Sequence, residues 1–245
     1  MLKLCADESI EPRSSLLSVA GYLMTEVQFA ALDAAVRTAR GDLPYFHMKE
    51  NHQVEHREVY RRIVDAIKPD AVIAGFAVSV YEKEYKGITS EKVKGRPHSY
   101  WFGGPYTFAL NRLMGMCAEW VSQNFPEERY IEYVFEAGHA RQGEADFFFR
   151  QINSPHQEEQ RRLLRYASHT FVDGKGPLGS VLQPCDILAS NFTKWSRTGE
   201  PTAELKDLLK VQTMHGHWNE SSIRRAVQNQ IAYNQTITRS GRKKR

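Results

Sequence analysis

Three acidic residues occupy places in the sequence from which their side chains could converge. Asp7 follows a short apolar strand that begins at Leu2, Glu136 ends an apolar strand that begins at Tyr130, and Asp186 lies in the first turns of a predicted helix. Carboxylates from strand ends and from a packing helix can meet at one point and hold divalent metal ions. This chemistry indicates a metal-dependent phosphodiesterase, and hard carboxylate oxygens favour Mg²⁺ or Mn²⁺ as the ion.

The three carboxylates have distinct expected roles in such a site. Two divalent ions about 3.5–4 Å apart can activate a water and stabilise the departing alkoxide on either side of a phosphate. Asp7 is the candidate for bridging both ions because its strand is expected to be central, and Glu136 and Asp186 would complete the site from each side. Side chains alternate along a strand, so Glu8 is expected to face away from the metals and to support the structure at a hairpin turn.

The segment after the first predicted helix adds three further candidates. Glu50 is a candidate fourth ligand, Lys49 a candidate phosphate contact and His47 a candidate proton carrier. In an extended segment, Lys49 and Glu50 point opposite ways, so at most one of them is expected to face the metals. The spacing of His47 and His52 is not that of a His-Glu-x-x-His motif, which argues against a zinc peptidase.

Each candidate also has a purely structural interpretation. A strand-end acid such as Asp7 or Glu136 is often a turn or cap residue, and Asp186 could simply favour the positive end of a helix dipole. The segment His215-Gly216-His217-Trp218 has two histidines without a third ligand nearby, so we predict a local turn there and not a metal site. Two clusters of basic residues could line a groove for a nucleic-acid backbone or form solvated helix faces. Their members are Arg57, Arg61, Arg62, Arg161, Arg162 and Arg165.

The composition sets the broad class of the protein. A chain of 245 residues with 41% hydrophobic and 25% charged residues suits one soluble globular domain with insertions or a small appendage. No apolar run approaches the ~20 residues of a membrane helix, and the N-terminus lacks a signal peptide's core, so a cytoplasmic location is expected. The three cysteines are widely spaced without a CxxC motif, which predicts neither disulfides nor a zinc ribbon. A net charge of +4 permits an anionic partner.

Periodicity predicts a mixed order of strands and helices, and therefore an α/β fold with a mixed sheet. The predicted strands are 2–8, 16–25, 71–80, 130–136 and 166–172, the first two forming a hairpin. The predicted helices are 26–40, 54–67, 107–124, 144–152, 157–164, 181–195 and 221–234, with one more short helix after Gly199. We divide the chain into a core domain at 1–198 with a polar helical insertion near 138–164, a C-terminal helical extension at 199–238 and a basic tail at 239–245.

Four short motifs between residues 2 and 195 resemble those of a large prokaryotic family, catalogued as a domain of unknown function and assigned to the ribonuclease H-like fold. The motifs are Asp7-Glu8-Ser9 on the first strand, the segment that contains Lys49, the strand that ends in Glu136 and Gln183-x-x-Asp186 at the start of a helix. The usual signatures of that family are Asp-Glu-Ser-Gly and Gln-x-Ala-Asp. The resemblance implies a ribonuclease H-like mixed sheet flanked by helices and a metal-dependent nuclease, or a protein descended from one.

This sequence departs from the family pattern at three positions. Ile10 stands where the family usually has glycine, and Cys185 stands where it usually has alanine. Neither change removes a carboxylate. Glu136 stands at the fourth-strand position, where aspartate is common in ribonuclease H-like sites, and its longer side chain could still reach a metal.

The leading hypothesis is a nuclease that hydrolyses DNA or RNA, with Asp7, Glu136 and Asp186 as ligands and with Lys49 and Glu50 assisting. One alternative is a catalytically inactive ribonuclease H-like module that binds nucleic acid or another protein. A second alternative is a metal-dependent phosphoesterase that acts on a small nucleotide. Convergence of the three carboxylates favours an enzyme, and a Glu136 side chain that faces away favours a binding module.

Overall fold

The computed structural model describes residues 1–48, 54–93, 96–97, 103–176 and 178–229. The strands are β1 Leu2–Glu11, β2 Leu16–Thr25, β3 Ala74–Tyr81, β4 Lys92–Val93, β5 Arg96–Pro97, β6 Ile131–Glu136, β7 Tyr166–Val172 and β8 Thr213–Trp218. The helices are α1 Glu26–Arg40, α2 Val54–Ala66, α3 Glu82–Thr89, α4 Pro105–Asn124, α5 Gln142–Ile152, α6 Glu158–Leu163, α7 Leu182–Thr198 and α8 Ala203–Leu208, followed by α9 at 220–229. The predicted α/β class with a mixed sheet is confirmed.

The main sheet has six strands in the order β7-β6-β1-β2-β3-β8. The strand β2 is antiparallel to both of its neighbours, β1 and β3, whereas β6 pairs in parallel with β1, β7 with β6 and β8 with β3. Consequently β1 is an inner strand, with β2 on one side and β6 on the other. The strand that carries Asp7 therefore occupies the middle of the sheet, as the sequence predicted.

Helices cover both faces of the sheet and form two hydrophobic cores. One core is shared by α3, α4, α5 and α9, and the other by α1, α2, α7 and α8. Along β1, Leu4 and Ala6 pack into the α4-side core, whereas Cys5 packs into the α7-side core. This period of two places Asp7 on the α7 side and Glu8 on the α4 side.

The first helix shows how local sequence signals fix an element in this fold. Thr25 caps the amino end of α1 by accepting the Gln28 amide hydrogen, and the Gln28 side chain accepts the Thr25 amide hydrogen in return. This reciprocal capping box satisfies two backbone donors that the first turn would otherwise leave unpaired. The helix ends at Arg40, before Gly41, as predicted from the apolar spacing and the glycine.

Three elements differ from the sequence-based expectations. The prediction of a turn at His215–Trp218 is wrong, because these residues belong to β8 and pair with β3 from Ala77 to Val80. The rings of His215 and His217 pack 4.7 Å from Trp195 and 5.5 Å from Tyr81, between ring centroids. The segment 199–238, expected to be helical, thus contributes the outer strand of the sheet in its described part. The short helix α3 and the β4–β5 hairpin were not predicted.

Two of the basic residues for which a groove or a solvated helix face was considered donate hydrogen bonds to backbone carbonyl oxygens. Arg161 donates to the carbonyl oxygens of Ile152 and Ser154 at 2.7 and 2.8 Å, which satisfies acceptors at the end of α5. Arg165 donates to the Glu128 carbonyl oxygen.

The three cysteines are all buried and unpaired. In the described ranges, no helix combines the length and the apolar character needed to cross a membrane.

Candidate functional site

The structure brings the three predicted carboxylates to one end of the sheet, on its α7 side. The β1–β6 ladder ends at the pair Ala6 and Phe135, so Asp7 and Glu136 are the next residues of two adjacent parallel strands. Asp186 approaches the same face from α7, which packs on β1 and β2. The side chains are close enough that Asp7 is repelled by Asp186 and Glu136, and Glu136 by Asp186.

Asp7 is a buried carboxylate at the centre of this site. It is 7% exposed, and its Oδ1 accepts the Glu8 backbone N–H at 2.8 Å. Burial raises the pKa of Asp7 well above its ordinary value, repulsion from the neighbouring carboxylates raises it further, and the Glu8 amide lowers it. Across the described part of the chain, no cationic side chain forms an ion pair with Asp7.

Glu136 is held by Tyr45, a residue that the sequence analysis did not identify. The Tyr45 hydroxyl donates to Glu136 Oε1 at 3.0 Å. Burial raises the pKa of Glu136, this hydrogen bond lowers it, and repulsion from Glu8 and Asp186 raises it again. Burial and then the charge of Glu136 raise the pKa of Tyr45 above its ordinary value of 10.0, so the phenol keeps the proton that it donates.

The loop after β7 closes over the same pair of side chains. A Cβ atom added at Gly174 would overlap Glu136 Oε1 and would lie 3.3 Å from Tyr45 Cε2, so only glycine fits this close approach. The next residue, Lys175, is exposed, and its Nζ lies 5.9 Å from the centroid of the Tyr45 ring. This loop therefore places a cation at the rim of the carboxylate site.

We expect Gly174→Ala to lower activity about ten-fold or more by displacing Glu136 and Tyr45, because a misplacement of about 1 Å can cost a hundred-fold in rate. Gly115→Ala is the matched control, because a Cβ there meets nothing within 4 Å. The relative activities of the two variants would measure the effect, with circular dichroism to check folding. Equal activity of the two folded variants would show that the Gly174 contact does not position Glu136.

Asp186 joins α7 to the loop between α1 and α2. It is 5% exposed, and its Oδ2 accepts the Met48 backbone N–H at 2.9 Å and lies 3.3 Å from His47 Nδ1. His47 is thus close to the carboxylate site, as required of a proton carrier. The candidates Lys49 and Glu50 lie outside the described residues.

Glu8 differs in part from its prediction. It does face the side of the sheet opposite to Asp7, but it is not at the hairpin turn, because β1 continues to Glu11 and pairs Glu8 with Val19. Its Oε1 lies 2.9 Å from His139 Nδ1. His139 lies on the loop after β6 and was not predicted from the sequence.

Carboxylate oxygens are ligands that suit a hard divalent ion, but the three carboxylates do not lie close enough together to coordinate one. Within the described ranges, no three His, Cys, Asp or Glu side chains are gathered closely enough to hold a metal ion. Binding one would require side chains to turn toward each other. Gln183, one helical turn before Asp186 and on the same side of α7, is 1% exposed, and both polar atoms of its amide lack a partner among the described residues.

Comparisons of the chain with protein-family models, with curated proteins and with solved structures find no match.

Proposed function

We propose that this protein is a divalent-metal-dependent nuclease that hydrolyses phosphodiester bonds of DNA or RNA, with Mg²⁺ or Mn²⁺ as its cofactor. The observation that carries the proposal is the burial of Asp7 among carboxylates, without an ion pair to any described cationic residue. A buried carboxylate is costly unless it is protonated, paired with a cation or bound to a metal. A divalent ion would reverse the repulsion that Asp7, Glu136 and Asp186 exert on one another.

The fold gives this proposal a second support. The acids lie on an inner strand, at the end of the neighbouring parallel strand and on a helix that packs on β1 and β2, an arrangement that agrees with the ribonuclease H-like resemblance. We therefore also propose that the sheet is ribonuclease H-like, with β8 as an added outer strand. Three buried, unpaired cysteines suit a cytoplasmic location, which is part of the proposal.

In the proposed reaction, Asp7, Glu136 and Asp186 would hold the metal. Metal ions bound there would supply an activated water and stabilise the leaving oxygen. Tyr45 orients the Glu136 carboxylate through its hydroxyl, and Gly174 leaves room for both. His47, one-third exposed beside Asp186, is suited to carry a proton to or from solvent.

Three further basic or acidic residues would assist. Lys175, exposed at the rim, is suited to contact a phosphate of the substrate backbone. Lys49 and Glu50 keep their proposed roles as a further phosphate contact and a fourth ligand. Contacts of this kind read the backbone and not the bases, so the expected affinity for nucleic acid is sensitive to salt and largely independent of sequence.

A cleavage assay with two matched glutamate variants tests the proposed function. The purified full-length protein is incubated with labelled single- and double-stranded DNA and RNA, with Mg²⁺, Mn²⁺ or a chelator. We expect metal-dependent cleavage that falls roughly a hundred-fold or more in Glu136→Gln. Glu132→Gln should keep its activity, because Glu132 lies on the same strand and face but pairs with Lys3 at 2.8 Å.

The outcomes of this assay separate the proposed function from its alternatives. Cleavage that is lost in Glu136→Gln and kept in Glu132→Gln would support the nuclease and name its substrate. Nucleic-acid binding without cleavage by the wild-type protein would favour the catalytically inactive binding module. Cleavage of a mononucleotide or dinucleotide alone would favour a small-molecule phosphoesterase.

A further inference from the structure

The two strands that bring Asp7 and Glu136 together separate at this point of the sheet. Their ladder ends at the pair Ala6 and Phe135, whereas β1 continues along β2 as far as Glu11. Beyond this ladder, no backbone hydrogen bond between β1 and β6 fixes the spacing of the two carboxylates. A contact beyond the ladder is therefore needed to keep Asp7 in place relative to Glu136.

A buried contact between Glu8 and His139 spans the separation on the opposite face of the sheet. His139 Nδ1 lies 2.9 Å from Glu8 Oε1, and the two side chains are only 7% and 13% exposed. The Arg141 backbone N–H donates to the same Nδ1 at 3.2 Å. The His139 ring also packs against the Tyr106 ring, with the centroids 5.3 Å apart.

The loop that carries His139 is shaped to make this contact. It begins at the residue after Glu136, and Gly138 adopts a φ of +80°, which turns the chain back and disfavours other residues. The Gly138 amide donates to Gln142 Oε1 at 2.6 Å. Arg141 anchors the far end of the loop by ion pairs to Glu82 on α3 and to Glu144 on α5.

Glu8 connects this contact directly to Asp7, because the Glu8 amide donates to Asp7 Oδ1 at 2.8 Å. We propose that the Glu8–His139 contact ties β1, just beyond its ladder with β6, to the loop after β6 and thereby positions Asp7 beside Glu136. Glu8 and His139 are positioning residues in this arrangement, on the side of the sheet away from the metals. Their importance for catalysis rests on the proposed function. The positioning link between Glu8, His139 and Asp7 does not depend on that function.

Two measurements on the full-length protein test the link. The first is the hydrogen-exchange rate of the Glu8 amide in the metal-free protein, because this amide is protected while Asp7 stays in place. The second is the Mn²⁺ dissociation constant, followed by electron paramagnetic resonance. The variants are Glu8→Gln, His139→Gln and the double variant. The control is His169→Gln, a half-buried histidine on the same face that bonds to the Tyr166 hydroxyl at 2.6 Å.

We expect each single variant to speed exchange of the Glu8 amide about ten-fold and to weaken Mn²⁺ binding about ten-fold, the usual range for residues that orient metal ligands. The double variant should match the single ones, because both remove the same contact. The His169→Gln control should change neither quantity.

Unchanged amide exchange, or effects that simply add in the double variant, would overturn the positioning link. If wild-type protein binds Mn²⁺ and both single variants bind it equally well, the positioning role fails and the proposed function stands. If the amide exchanges faster in the variants but the wild-type protein binds no Mn²⁺, the link stands and the proposed function fails. Glu8→Gln and His139→Gln are independent probes, so the failure of either one to fold leaves the other to decide.

Discussion

Asp7→Asn is expected to remove metal-dependent cleavage and, at the same time, to stabilise the metal-free protein. The loss of activity should be roughly a hundred- to a thousand-fold, as for other preorganised electrostatic groups in active sites. The gain in stability follows because asparagine fills the same space without the charge that Asp186, Glu8 and Glu136 repel. A gain of about 1 kcal/mol corresponds to about 2–4 °C in Tm for a chain of this size.

The pH dependence of stability provides the sharpest measurement of this effect. The folded protein raises the pKa of Asp7 above its ordinary value of 3.8, so the folded state binds more protons than the unfolded state between the two values. Metal-free wild-type protein should therefore lose stability as the pH rises from about 4 through the raised pKa of this coupled cluster. The slope should be smaller in Asp7→Asn, and Mn²⁺ should stabilise the wild-type protein more than the variant.

Asp146→Asn is a suitable control for this prediction, because Asp146 is a half-buried aspartate on α5, outside the carboxylate cluster. It should keep both the activity and the pH dependence of the wild-type protein. A lower Tm for metal-free Asp7→Asn at neutral pH would show that the Asp7 charge stabilises the fold. That result would remove the main support for a metal at this position.

Much of the framework could be predicted from local sequence, because its signals act over a few residues. The apolar run of β2 and the capping box at Thr25 define two adjacent elements without help from the rest of the chain. Alternation along β1 correctly placed Asp7 and Glu8 on opposite faces. In contrast, β8 has few β-branched residues, and it forms a strand by pairing with β3, which lies more than a hundred residues earlier.

Some residues of the candidate site could likewise be predicted from local sequence, and others depend on contacts between distant parts of the chain. Asp7, Glu136 and Asp186 could be identified as candidates from the sequence, because acids at strand ends and in the first turns of a helix can meet and hold a metal ion. Tyr45 and His139 lie in loops, and their partners are decided by how distant elements pack. No periodicity or motif predicts that a loop tyrosine will reach a strand-end glutamate, so these two residues became apparent only from the structure.

Asp186→Ala is expected to remove activity to a similar extent as Asp7→Asn, but to change stability in the opposite direction. Its carboxylate accepts the buried Met48 amide hydrogen and lies beside His47, so alanine would leave that amide without its acceptor and release the loop. An unsatisfied buried donor costs about 1–3 kcal/mol. Equilibrium unfolding in urea would measure this loss at constant pH, in metal-free protein.

Two variants on the same helix separate the charge of Asp186 from its hydrogen bond. Asp186→Asn keeps an oxygen that can accept from Met48, so it should lose activity while keeping most of the stability. Asn191→Ala should show the reverse, because it removes hydrogen-bonding contacts to the Tyr60 and Thr202 hydroxyls at 3.2 and 2.9 Å without touching the carboxylates. If Asp186→Ala instead became more stable, as expected for Asp7→Asn, then like-charge repulsion would outweigh the Met48 hydrogen bond. Asp186 would then act in the unliganded protein chiefly as a repelled charge, and anchoring of the loop would have to come from other contacts.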